Sequence, residues 1–397
     1  MSNRDLQQKG EQVLMNTYGR LPIAMVKGQG SKVYDADGKE YLDFVAGIAV
    51  NNLGHCHPAV VDAIQKQAAT LLHCSNLYWI EPQIKLAELL VENSCFDQVF
   101  FCNSGAEANE GAIKLARKYA KSKGRTDSYE VISMENSFHG RTLATLTATG
   151  QEKIRENFAV LPSGFKYVPF NDIQAIREAI SPQTCAIMVE PVQGEGGVIP
   201  AEDAYLSELR RLCDEHDLLL IFDEVQVGLG RTGKLFAYQN SGVEPDVMTL
   251  AKALGGGTPV GALMAKKAAA AFVPGEHATT FGGNPLVTAA GIAFMETMLK
   301  EDICGQAMAG SKYMKEKLLS LQAEFPCLCE VRGLGWLMGV VLDKPGAAIV
   351  NSCLEKGLLI NCTAENVLRF VPPLNVSFAE IDRAVEILAA ALKENNC

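Results

Sequence analysis

The stretch Leu218-Leu219-Leu220-Ile221-Phe222-Asp223-Glu224 decides the fold. Its apolar run does not alternate, so it reads as a strand covered on both faces rather than one with a wet side. Two carboxylates then stand at its carboxyl end. An acid there either opens to solvent or meets a cation or strong donors, because burying it unpaired is expensive. Runs of the same kind occur on either side: QVFFC (98–102), YEVISM (129–134), FKYVPF (165–170), CAIMVE (185–190), VMTLA (247–251) and GALMA (261–265). Segments of helical period separate several of them, notably Ala106–Ser122, Asp172–Ala179 and Ala204–His216. This alternation predicts an α/β fold, a mostly parallel seven-stranded sheet with helices on both faces.

The last third differs. Helical patterns at Pro285–Leu299 and Met308–Glu324 lead into strand-like CEVRGLGWLMGVVL, a helix at Ala347–Glu355, a strand at LRFVPP and a final helix over Phe378–Leu392. The expected organisation is therefore a large domain over 61–300 and a smaller α+β domain over 301–397, with residues 1–60 packing against the latter.

Bulk properties are those of a globular enzyme or binding protein, 48% hydrophobic and 21% charged. A net charge of −10 argues against a nucleic-acid or anionic-membrane surface. The polar start MSNRDLQQKGEQV is no signal peptide, and no apolar run is long enough to span a bilayer, so a cytoplasmic protein is expected. The 12 cysteines include no CxxC pair and read as reduced thiols. His55-Cys56-His57, between Gly54 and Pro58, reads as a turn rather than half of a metal site.

Ligands of such sheets bind at the carboxyl ends of the strands, and the chemically suggestive residues gather there. Asn103-Ser104-Gly105-Ala106-Glu107 opens a helix, with Ser104 and Glu107 spaced as a capping box. It is either only a capped helix or, with Gly105 and Ala106 leaving the first amides uncovered, an anion site. Asn136-Ser137-Phe138-His139-Gly140-Arg141-Thr142 is either a surface turn or a place for a planar anionic ligand. Gly228-Leu229-Gly230-Arg231-Thr232-Gly233 matches GxGxxG after a strand, but no helix follows, so it reads as a loop. Lys252 ends an apolar strand ahead of three glycines. It either snorkels to solvent or stands in a pocket that lowers its pKa. Together these residues form one scheme: a helix N-terminus for a phosphate, an aromatic face for a ring, an acid for a cationic ring nitrogen, and an amine for an imine. That set describes a site for pyridoxal 5'-phosphate (PLP).

On these residues the chain resembles the class III, ornithine-type aminotransferases of PLP transferase fold type I. The resemblance is carried by NSGAEANEGAIKLAR (103–117), NSFHGRT (136–142), EPVQGEGGV (190–198), FDEVQVGLGRTG (222–233), TLAKALGGGTPVGA (249–262) and TTFGGNP (279–285). Within the class, MNTYGRLPIAMVKGQG (15–30), YLDFVAGIAVNNLGHCHP (41–58) and HCSNLYW (73–79) look most like the members acting on N-acetylornithine. The resemblance implies that Lys252 links to the cofactor aldehyde and that Asp223 pairs with its ring nitrogen. It implies Gln226 near the ring hydroxyl, Phe138 stacked on the ring, and Gly105 and Ala106 on the phosphate. It further implies a homodimer with shared sites, in which Thr280 reaches the phosphate held by the partner. Arg141 would hold a substrate carboxylate, with Thr279 and Tyr18 at the substrate pocket. Glu195 and Arg369 look like the family's switch pair, the acid masking the arginine for one substrate and releasing it for the other.

The implied reaction moves the terminal amino group of N-acetylornithine to 2-oxoglutarate, in arginine synthesis. The same chemistry on ornithine, succinylornithine, 4-aminobutyrate or an N-acyl-diaminopimelate is the near alternative. A nicotinamide-dependent dehydrogenase built on GLGRTG, or a non-catalytic binding protein, are the remote ones. Two departures from the family pattern stand out: Ala278-Thr279 replaces a more usual Gly-Ser, and Gly111 replaces a more usual alanine in the phosphate helix.

Overall fold

The structure is a computed structural model that describes residues 1–397. Strands β1 (Gln98–Cys102), β2 (Glu130–Met134), β3 (Phe165–Val168), β4 (Thr184–Val189), β5 (Leu219–Asp223), β6 (Val247–Leu250) and β7 (Gly261–Ala265) form one sheet. Its order is β1-β7-β6-β5-β4-β2-β3. Only β7 runs against its neighbours; the other pairs are parallel. Every residue of β4, β5, β6 and β7 is buried, which is why these strands carry no polar alternation.

Four later strands, β8 (Leu328–Leu334), β9 (Leu337–Leu342), β10 (Asn361–Thr363) and β11 (Val367–Phe370), make an antiparallel sheet in the order β8-β9-β11-β10. Helices Ile303–Glu324, Ala347–Glu355 and Phe378–Glu394 accompany it. The N-terminal strands Met25–Gln29, Lys32–Asp35 and Glu40–Asp43 pair with one another, and Leu358–Leu359 joins them in parallel. One apolar core runs from Leu220 and Met248 through Phe294 and Trp336 to Leu342 and Leu388, so the two larger sheets share an interior.

The GLGRTG loop works as a clamp. Arg231 is fully buried, and its guanidinium donates to the carbonyls of Pro372 (2.6 Å) and Trp336 (3.2 Å) and to the Asn52 side chain. No carboxylate answers it, and burial lowers its pKa to about 9. A side chain at Gly233, which has φ +89°, would strike Met308 Sδ at 1.9 Å. Gly233 thus lets the loop pack closely against the Ile303–Glu324 helix, and Gly230 likewise meets Met298 and Leu374.

Two local expectations change. Cys327 and Cys397 form a disulfide, so the cysteines are not all reduced; the two residues are 70 apart in sequence, a pairing that no local spacing announces. In the helix Gly105–Ser122, Glu107 turns back to the amide of Asn103 (2.7 Å) rather than that of Ser104, while Ser104 Oγ accepts from Glu107 N (3.2 Å). The box is shifted by one residue. Gly111 has a packing reason: a Cβ there would lie 3.1 Å from Leu263 Cδ2 and 3.2 Å from His277 Nε2. His55 turns inward to Asp43 (2.7 Å). No helix is long and apolar enough to cross a membrane.

Candidate active site

The ends of β1, β2, β4, β5 and β6 converge on a cavity of ≈ 490 Å³, a size suited to a cofactor or small substrate. Ser104, Gly105, Ala106, Phe138, Arg141, Glu195, Asp223, Gln226 and Lys252 all line it. One wall is the N-terminus of helix Gly105–Ser122, whose first amides and dipole favour an anion. Glycine is required at position 105, because a Cβ would sit 2.7 Å from Val225 Cγ1. Arg141 lies over the Phe138 ring at 5.3 Å, placing a cation and an aromatic face side by side.

Asp223 is buried but well supplied with donors. Its Oδ2 meets His139 Nδ1 (2.8 Å) and Asn109 Nδ2 (2.8 Å), and its Oδ1 accepts from Val225 N (3.0 Å). Asn109 is held in turn, accepting from Thr249 Oγ1 (2.7 Å) and donating to the His139 carbonyl (2.7 Å). Burial alone would lower the pKa of His139, but the hydrogen bond and charge of Asp223 outweigh it and hold it above the ordinary value. Glu190, at the end of β4, accepts from Phe138 N (3.0 Å). Burial raises its carboxyl to about 7, against the opposing charge of His139.

Lys252 follows β6 with φ 45°, a left-handed conformation that a β-carbon disfavours, so its backbone is strained where its side chain enters the cavity. Burial lowers the amine to about 8; Glu195 pulls it up and Arg369 pushes it down. A sizeable fraction is therefore neutral, hence nucleophilic, near physiological pH.

Arg369 does not line the cavity but stands directly behind it. Its Nη1 pairs with Glu195 Oε1 (2.5 Å) and approaches Gln226 Oε1 (3.4 Å), while its Nε donates to Asn361 Oδ1 (3.2 Å). Gln226 Nε2 also reaches Glu195 Oε1 (3.3 Å). Arg369 is buried, yet a third of the Glu195 side chain is open, at 32% exposure. Burial opposes ionisation of Glu195, but the Arg369 charge keeps its pKa below the usual value.

Three expected residues are not brought to this cavity within one chain. Thr279 Oγ1 accepts from Asn103 Nδ2 (3.1 Å) and Gly282 N (3.2 Å), so its hydroxyl braces a loop beside the rim. Thr280 is exposed. Tyr18 is 69% exposed and lines a separate groove with Leu14 and Leu21 near the N-terminal helix.

The family model for class-III aminotransferases matches residues 13–392. The chain belongs to the class-III aminotransferases. It is 57% identical over 382 residues to the acetylornithine aminotransferase of Caldanaerobacter subterraneus subsp. tengcongensis, covering 96% of this chain and 97% of that one. It is 55% identical to the acetylornithine aminotransferase of Methanocaldococcus jannaschii, covering 96% of each. Among solved structures, the ornithine aminotransferase of Toxoplasma gondii ME49 superposes with a TM-score of 0.96 at 32% identity, covering 100% of this chain and 96% of that chain. The N-acetylornithine aminotransferase of Stenotrophomonas maltophilia K279a gives 0.85 at 39%, covering 98% and 99%. The fold is thus the PLP fold type I of class-III aminotransferases, and the chain is a PLP-dependent transaminase.

The donor set of this aminotransferase fits PLP. The helix amides at Gly105 and Ala106, the Phe138 ring, the Asp223 carboxylate and the Lys252 amine all line one cavity. The sequence reading missed Asn109, Glu190, Thr249 and Asn361. Asn109 sits four residues after Gly105, one helical turn on from the helix N-terminus at the cavity, which is the one local signal that pointed to it.

Proposed function

We propose that this enzyme moves the terminal amino group of N2-acetyl-L-ornithine to 2-oxoglutarate, giving N-acetyl-L-glutamate 5-semialdehyde and L-glutamate, as a step of arginine synthesis. The observation that carries this reading is Glu195 in the wall of the Lys252 cavity with Arg369 paired directly behind it, taken with relatives of that name at 50–57% identity.

In this reading the amides of Gly105 and Ala106 would hold the PLP phosphate, Phe138 would cover the ring, and Asp223 would pair with the ring nitrogen. When bound, PLP supplies an aldehyde carbon for amines and a ring that takes up electrons from the carbon losing its proton. The Lys252 amine would hold the aldehyde between turnovers and would take that proton as a base and return it as an acid. The His139 and Asn109 donors hold the Asp223 carboxylate in place, where it would pair with the ring nitrogen. Arg141 grips the substrate's carboxylate. Glu195 covers Arg369 while the uncharged acetylated end of the donor occupies the site, and releases it when 2-oxoglutarate brings a second carboxylate.

The protein acts as a homodimer with shared sites, Thr280 of one copy reaching the phosphate held by the other. The exposed apolar residues around that loop support this: Trp79 at 93%, Leu77 at 83% and Phe281 at 60% exposure.

Specificity constants across N-acetylornithine, ornithine, succinylornithine, 4-aminobutyrate and an N-acyl-diaminopimelate test the substrate, and a clear preference for any of the last four overturns it. Borohydride reduction followed by peptide mapping tests the site: the cofactor mass is expected on Lys252, and a modified residue elsewhere refutes the assignment.

A further inference from the structure

The switch pair poses a physical problem. When Glu195 swings aside, Arg369 is left as a buried cation, and it must stay in place to meet an incoming carboxylate. We infer that Asn361 is the positioning residue that holds the Arg369 guanidinium on station while Glu195 is away, and so determines how well the enzyme takes a dicarboxylic partner. The inference rests on the switch-pair reading above.

The strand register sets this arrangement. Asn361 on β10 is the cross-strand partner of Arg369 on β11, so their side chains share one face. The Asn361 oxygen takes the Nε hydrogen at 3.2 Å, which fixes the guanidinium plane and leaves Nη1 for Glu195. A neutral acceptor suits this task. It satisfies a donor without cancelling the positive charge, whereas a carboxylate would compete with every substrate acid. Two residues further on, Thr363 Oγ1 donates to the Glu195 carbonyl. Arg332 Nε and Nη2 hold the carbonyl of Gly197 at 3.0 and 2.7 Å. The backbone beneath Glu195 is thus tied on both sides, and the acid leaves by rotating its side chain.

The test uses holoenzyme and the variants Asn361→Asp, Asn361→Leu and Arg369→Leu. Glutarate, a five-carbon dicarboxylate with no group to react, is titrated calorimetrically, and the donor and 2-oxoglutarate half-reactions are followed separately in single turnovers. For Asn361→Asp, which preserves shape but adds a fixed negative charge, glutarate affinity is expected to fall tenfold or more. The 2-oxoglutarate half-reaction should fall with it, the loss lying in apparent substrate affinity and greatly exceeding the loss on the donor side. Asn361→Leu should show the same bias, less strongly. Equal losses in both half-reactions, or unchanged glutarate binding while Arg369→Leu abolishes it, overturn the role of Asn361 alone. If Arg369→Leu itself leaves glutarate binding intact, the switch-pair reading fails instead.

Discussion

His139 Nδ1 lies 2.8 Å from Asp223 Oδ2, and neither residue has appreciable contact with solvent. The pair joins the loop after β2 to the last residue of β5, across the intervening β4. Its consequence is electrostatic: the hydrogen bond and charge of the carboxylate raise the pKa of the imidazole against the effect of burial. A second donor, Asn109, fixes the rotamer of the acid.

Replacing His139 by alanine should therefore loosen the cofactor as well as slow the reaction. We expect PLP affinity, followed by quenching of intrinsic fluorescence, to weaken about tenfold or more, on the order of the effect of removing one charge-assisted hydrogen bond. Asn109→Ala should act in the same direction. Retention of wild-type affinity by both variants would show that Asp223 needs neither donor.

The Arg231 clamp makes a stability prediction far from the chemistry. Arg231→Ala strands three acceptors, the carbonyls of Trp336 and Pro372 and the Asn52 side chain, and leaves a cavity. A loss of about 3 kcal/mol or more is expected from unpaired buried polar groups. Urea unfolding of the apoprotein measures it; a change below about 1 kcal/mol would mean that water or neighbouring groups replace the guanidinium.

Much of this architecture could be read from the chain because the strands are buried on both faces. QVFFC and GALMA begin and end where the apolar runs do. The helix at Ala347–Glu355 likewise keeps the bounds that its period suggests. Lys252 and Asp223 were legible for a related reason, since a charged residue closing an apolar strand is anomalous enough to mark itself. What could not be read is what depends on distant partners. Arg231 read only as part of a loop, and its role as a clamp stayed hidden because its three acceptors come from residues 52, 336 and 372. Asn361 carries no local anomaly and matters only through its register against Arg369.

The Cys327–Cys397 disulfide anchors the last residue of the chain beside the start of β8. Under denaturing, non-reducing conditions the protein should titrate 10 thiols, and all 12 after reduction. Closing so long a loop restricts the unfolded chain by about 4 kcal/mol in the entropic limit, so Cys397→Ser should lower stability by up to that amount. Twelve reactive thiols before reduction would show the bond to be absent.

The Lys252 amine offers a prediction that needs no turnover. Its pKa is about 8 in the folded apoprotein, chiefly through burial, against an ordinary 10.5. Between those two values the unfolded chain binds the proton and the native chain does not, so this group's contribution to stability rises with pH across the window. Below about 8 the native state carries the whole penalty of a buried ammonium. Lys252→Met removes that penalty while keeping an unbranched side chain, one heavy atom shorter. The apo variant should therefore melt higher than apo wild type at pH 7, and the advantage should shrink as the pH approaches 10.5. Thermal melts of both proteins across pH 6–10 decide it. A variant that is less stable at neutral pH, or one whose advantage grows with pH, would place this lysine in contact with water rather than in the wall of the site.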